Sequence, residues 1–317
     1  MRRINTYPVL VAMLLTVALT GCRKEPLPAS SDVIGFVVTP SVHVEAETKA
    51  DALSGESDLI KNGSQVLLYG SYKIGSSTAV ELFKATPLTC TESSGSYSWG
   101  YGAPVRYWVK DATHDFRAVF PASANVSNDS NSSSIEVSYD ASSANQDLMV
   151  ASAPNATPKN PVSLTFKHAC AAVRFALKTS GNEPNTACTI TSLKLNGVAP
   201  SGTMTFTGDI INWTPSAAPT LGWTWTWPEW NGKDLGTSYV GPWYYVVPQT
   251  LSGATLQYTY TFGSDSGTVT LTIPNITWES GKVYVYQVNV GMSSLTVSIE
   301  DWDAYSSRVN DIAFPTF

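Results

Sequence analysis

Charge is scarce in this 317-residue chain: Asp, Glu, Lys and Arg together make up 14 % of it. Its 19 basic and 25 acidic residues give a net charge of −6. A chain so balanced has no basic face for a phosphate backbone, which excludes nucleic acid as a partner. The same balance is unsuited to an anionic membrane surface. Histidine is rarer still. His43, His114 and His168 are scattered and form no H-x-x-x-H spacing, so a zinc site has no ligand set. No metal or other cofactor is expected. Phosphate-cradling glycine loops and the G-x-S-x-G elbow are both missing. His168 and Cys170, two apart, are the one thiol–imidazole pairing the spacing allows. His114-Asp115 reads as turn chemistry at a strand start. No catalytic residues are assigned, and an enzyme is not expected.

Cysteine is almost as sparse, at four: Cys22, Cys90, Cys170 and Cys188. Beyond Cys22 three remain, and an odd count leaves at least one thiol unpaired. Cys170–Cys188 is the candidate bond if the compartment is oxidising, with buried free thiols the favoured alternative.

Long apolar runs are also lacking. Val9 to Leu19 is eleven residues, short of the ~20 that a membrane-spanning helix needs. It follows Arg2 and Arg3 and ends at Leu19-Thr20-Gly21-Cys22. That order is a secretory signal closing in a lipoprotein cleavage box. Residues 1–21 are expected to be a removed signal peptide, with lipid on Cys22 holding residues 22–32 as a polar tether. Several acyl chains on one cysteine anchor firmly, because each buried methylene contributes about 0.8 kcal/mol. The expected address is the outer membrane, at the cell surface.

What is abundant is Ser, Thr, Gly, Pro and aromatics, with ten tryptophans. Such a composition belongs to many short strands joined by turns. A period of two recurs along the chain, and no segment holds a long 3.6-residue period. Ile34 to Val38 and Val42 to Ala46 read as extended. Strands are expected at 65–69, 79–83, 105–109 and 115–120. Residues 122–134, rich in Ser and Asn, read as a surface loop. Pro154, Pro158 and Pro161 mark a break, which divides the chain into an N-terminal sandwich (33–160) and a C-terminal one (161–317). Further strands are expected at 163–177, 189–195, 203–207, 243–247, 255–262, 267–273, 282–290 and 294–300. The fold class read from the pattern is all-β, with two sandwiches.

Several patches, taken in order, resemble the fimbrillin family of Bacteroidetes, the subunits of type V pili. They are the lipobox at Cys22, the early strand ending in Thr48-Lys49-Ala50, and Tyr107-Trp108 followed by Phe116-Arg117-Ala118-Val119-Phe120-Pro121. Leu164-Thr165-Phe166-Lys167-His168 is similar to the family's "L-x-F-x-H" segment. Trp278-Glu279-Ser280-Gly281-Lys282-Val283-Tyr284-Val285-Tyr286 is similar to its "W-x-x-G-x-x-Y-x-Y", with Asp301-Trp302 close behind. The resemblance implies two transthyretin-like β-sandwich domains, lipoprotein export, removal of the first strand by a protease, and polymerisation with other subunits by strand exchange. Residues 33–47 fit the removable strand, with Lys49-Ala50 as the candidate cleavage bond in place of an arginine-type site. They fit a permanent first strand equally. The donor strand would be C-terminal: Leu295, Val297 and Ile299 alternate, and beyond Trp302 lie Val309, Ile312 and Phe314. A tail packed on its own domain fits as well.

A different function would rest on the tryptophans. Trp223, Trp225 and Trp227 share one face if extended, with Trp230 nearby. An exposed indole row is a platform for sugar rings, so a surface-anchored glycan-binding lipoprotein is the alternative reading. A core or subunit-interface role for the same indoles is the simpler one.

Overall fold

The computed structural model describes residues 32–41, 58–127, 134–143, 145–158, 161–179, 187–217, 224–226, 230–235, 238–290 and 294–302. Their regular elements are almost wholly β-strands, as the period-two pattern requires. The first strands are β1 (Phe36–Pro40), β2 (Gln65–Ile74), β3 (Val80–Ser93), β4 (Ser96–Tyr101) and β5 (Ala112–Phe120). Then come β6 (Asn125–Val126), β7 (Ser134–Asp140), β8 (Met149–Ala156) and β9 (Val162–His168). The middle of the chain gives β10 (Ala171–Thr179), β11 (Cys188–Asn196), β12 (Ser201–Thr207), β13 (Ile210–Pro215) and β14 (Thr224–Thr226). Next are the short β15 (Lys233–Asp234), β16 (Ser238–Val240), β17 (Tyr244–Val246) and β18 (Thr250–Leu251). The last five are β19 (Thr255–Phe262), β20 (Asp265–Thr272), β21 (Ile276–Thr277), β22 (Lys282–Val290) and β23 (Ser294–Asp301).

Seven strands form a closed barrel in the order β1-β4-β3-β2-β5-β8-β9. Alternation fills it: Leu164 and Phe166 of β9, Phe116 and Ala118 of β5, and Val66 and Leu68 of β2 all point into one core. β1 is the stave that closes the circle. It runs parallel to β9, from Phe36 beside Val162 to Pro40 beside Phe166, and meets β4 at Phe36 and Trp99.

Two further sheets face one another, ordered β16-β10-β22-β23 and β14-β11-β19-β20. Val173, Phe175 and Tyr286 from the first and Ile190, Leu195 and Tyr258 from the second fill a single core between them. β10 is buried from Ala171 to Leu177. Its odd residues enter that core, while Ala172 faces a third cluster on the other side. A strand covered on both faces is apolar nearly throughout, and β10 also pairs in parallel with β22. The backbone breaks at Ala169-Cys170, so His168 ends β9 and Cys170 lies outside both strands.

A fourth sheet, β13-β12-β7-β6, joins the early and late chain: β7 pairs with β12 from Ser134↔Thr207 to Asp140↔Ser201. This corrects the reading of 122–134 as a loop throughout, since β6 and the start of β7 fall inside it. Ile135, Val137, Met204 and Phe206 turn inward with Tyr69 and Val119 from the outside of the barrel and Tyr245 and Trp302 from the late chain.

Candidate functional site

The seam at β1 is built from few bonds and much apolar surface. Ile34, Phe36 and Val38 are buried, while Val37 between them is 41 % exposed. Phe36 meets the rings of Phe116, Phe83 and Tyr101 at 5.3, 5.7 and 6.1 Å, each edge to face. Burying one such side chain contributes about 1.5–3 kcal/mol. Beyond the β9 ladder, the entry to β1 is fixed by Ile34 N–H donating to Arg106 O (3.0 Å) and Trp108 N–H donating to Asp32 O (2.9 Å). The Tyr101 hydroxyl donates to Ile34 O at 2.8 Å. Parallel pairing is slightly less stable per residue than antiparallel, and the β4 side of β1 holds one register pair. Withdrawing β1 would leave open edges on β4 and β9 and expose Phe83 and Phe116, which is a slot shaped for a strand with apolar residues at every second position.

The C-terminal segment is secured differently. β23 pairs with β22 through Leu295↔Val288, Val297↔Tyr286 and Ile299↔Tyr284, with Ile299 itself 49 % exposed. Trp302, one residue beyond, is fully buried and lies between two rings. His168 stacks on it at 3.8 Å and 10°, and Tyr245 at 5.6 Å and 13°. His168 Nδ1 is 2.6 Å from Asp147 Oδ2, and both side chains are buried. The Cys170 thiol sits nearby, against the Tyr139 hydroxyl. Burial above all, and then the Asp147 carboxylate, push that thiol well above its ordinary value. A thiol held protonated is no nucleophile, and His168 is engaged with Asp147. The thiol–imidazole pairing allowed by the spacing is therefore not what this cluster forms.

The remaining sequence candidates divide sharply. Cys22, Lys49, Ala50, Val309, Ile312 and Phe314 lie outside the described residues, as do Trp223, Trp227 and the stretch Val42 to Ala46. Trp225 occupies the middle of β14, in register with Leu195 of β11. Trp230 is fully buried: its Nε1 donates to the Tyr244 hydroxyl (3.0 Å), and Tyr239 meets it edge to face at 5.1 Å. A Cβ at Gly241 would stand 2.3 Å from the Trp230 ring, so the glycine is what admits the indole. Trp230 thus takes the core role. Cys90, Cys170 and Cys188 are all free and buried, and the candidate Cys170–Cys188 bond is not formed.

His114 corrects a second reading. It is not at a turn but inside β5, fully buried. Val109 N–H donates to its Nε2 at 3.2 Å, and Trp108 packs on it at 4.8 Å. A histidine next to an aspartate looks like a turn locally. Its place in the alternation with Phe116, Ala118 and Phe120 was the signal that it faces inward. Among the described residues no cluster of three or more His, Cys, Asp or Glu is placed to hold a metal ion.

The fimbrillin-like family model matches residues 48–302. Solved structures of similar fold include a fimbrial protein from Bacteroides vulgatus ATCC 8482, with a TM-score of 0.60 at 15 % identity, covering 86 % of this chain and 99 % of that one. A protein named for cell adhesion from Bacteroides uniformis ATCC 8492 gives 0.53 at 15 % identity, over 87 % and 100 % of the two chains. Another, from Bacteroides ovatus ATCC 8483, gives 0.50 at 15 %, over 85 % and 96 %. At these identities the likeness is one of fold. No curated protein sequence matches the chain.

Proposed function

The chain belongs to the fimbrillin-like family, and from that premise we propose that it is a non-enzymatic subunit of a cell-surface type V pilus or adhesin. It is exported as a lipoprotein on Cys22 and assembles with other subunits by strand exchange at the β1 seam. The observation that supports this reading is the construction of that seam. A five-residue strand closes the barrel with two core side chains, Phe36 and Val38, a third at Ile34 just before it, and a single register pair on one side. Cleavage at Lys49-Ala50 would free it from the rest of the chain. The slot left behind asks for alternating apolar residues and unsatisfied backbone groups, which another chain's strand provides.

The donor role falls on the segment after Trp302, with Ile312 and Phe314 as its apolar pair and Val309 before them. Donation by Leu295, Val297 and Ile299 would first have to dismantle the β22–β23 ladder and pull Trp302 from its stack. The test is the N-terminus of protein sheared from cells, read by mass spectrometry. Ala50 as the first residue supports removal of β1, and a lipidated Cys22 as the sole N-terminus overturns it. The donor assignment predicts an oligomer ladder on mildly denaturing gels that disappears when residues 303–317 are deleted. A ladder unchanged by that deletion counts against it.

A further inference from the structure

The fourth sheet carries a feature that assembly does not use. Ser138 of β7, Thr203 of β12 and Thr214 of β13 stand directly across from one another on three adjacent strands. Two residues along, and so on the same face, are Asp140, Ser201 and, just past the end of β13, Ser216. Adjacent strands are about 4.8 Å apart and alternate residues about 6.7 Å apart, so these side chains form a two-by-three grid of oxygen atoms. The grid lines a cleft of about 700 Å³ whose lining also includes Pro121, Ser123, Ala124 and Asn125 together with Ser143, Gln146 and Leu148. That volume is within the roughly 300–1,000 Å³ of small-molecule sites.

The cleft is pre-formed. The Ser201 and Ser216 hydroxyls bond one another at 3.0 Å, and Ser216 N–H donates to Ser201 O at 2.8 Å. Ala141 N–H donates to Pro200 O (2.9 Å), tying the wall to the start of β12. Asp140 Oδ1 accepts from both the backbone N–H and the hydroxyl of Ser142, at 2.9 and 2.6 Å. Gly202 lets β12 and β13 close up, since a Cβ there would meet Thr214 O and Val247 Cγ1 at 3.0 Å.

We propose that this cleft binds a neutral, polyhydroxylated ligand of disaccharide size. Among the described residues its lining holds no lysine, arginine or histidine, so an anionic ligand finds no cationic partner among them. Asp140, the one charged residue among the described lining, has its Oδ1 engaged by Ser142 and serves the cleft as a hydrogen-bond acceptor. The amides of Asn125 and Gln146 supply paired donors and acceptors at the rim, and Pro121 offers C–H surface to a sugar face. This is a different site from the tryptophan row, and it stands or falls independently of strand exchange.

The test is saturation-transfer NMR on the full chain with cellobiose, maltose, lactose and N,N′-diacetylchitobiose, with 3′-sialyllactose as the anionic comparator. At least one neutral disaccharide is expected to bind saturably and more tightly than the sialylated one. The double variant Thr203→Val, Thr214→Val keeps shape and strand preference but removes two hydroxyls. It should weaken that binding by about tenfold or more with an unchanged melting temperature. Asn125→Ala, on the exposed rim, provides a second weakening independent of the sheet. No saturable binding across the neutral panel overturns the proposal. So does binding that survives both variants, or binding led by the anionic sugar.

Discussion

Phe36 and Phe116 meet edge to face across the barrel core, with ring centroids 5.3 Å apart and planes at 84°. The first ring belongs to the closing strand and the second to the body of the barrel, so this contact reports whether the seam is shut. Phe36→Ala removes it along with the contacts to Phe83 and Tyr101. Truncating a buried Phe costs about 3–5 kcal/mol. The expected result is a lower urea midpoint, with faster amide exchange at the β4 and β9 edges than in β19 or β20. Uniform loosening of all sheets would show that β1 is not a separable stave.

The late chain should respond to Trp302. Its ring lies between His168 and Tyr245, and Trp302→Ala opens a large cavity against the His168–Asp147 pair. A cost of about 3–5 kcal/mol is expected, with amide protection lost first along β23. Trp302→Phe keeps a stacked ring and should recover most of it. If β23 stays as protected as β22 in the alanine variant, the stack is not its anchor.

His114 sets a pH limit. Burial holds its pKa below the ordinary histidine value, with hydrogen bonding to Ala112 and the nearby Asp115 carboxylate opposing. The unfolded chain therefore takes up this proton more readily than the folded one. The stability tied to neutral His114 is complete above the unfolded value of about pH 6.5 and is lost as pH falls from there toward the folded pKa. Melting temperature should decline through that window, and His114→Gln should flatten part of the decline. A variant profile parallel to the parent's would assign the acid sensitivity elsewhere.

Much of the strand inventory was legible because alternation is a local signal. β11, β19, β20, β22 and β23 lie where Val, Leu, Ile and Tyr alternate, and β12 where Met204 and Phe206 do. Pairing was not legible, because which strand lies beside which depends on residues far apart. Nothing near Ser134 to Asp140 announces β12 as its neighbour, and the Ser/Asn run before it hides the strand altogether. Nothing near Phe36 announces Val162. The tryptophan row shows the converse limit. Spacing suggested a shared face for the indoles, but the burial of Trp230 is decided by the bare backbone at Gly241 and the hydroxyl of Tyr244.

The ladder that shuts the barrel links positions 126 residues apart in sequence, as with Thr39 and Thr165. The β2–β3, β3–β4, β2–β5 and β5–β8 pairings join much nearer neighbours. Closing a longer loop costs more entropy, and contacts between distant residues form more slowly. During folding the curved sheet from β4 to β9 is thus expected to form before its own first strand docks. If a strand from another subunit can fill that gap, the tether gives β1 the advantage of proximity.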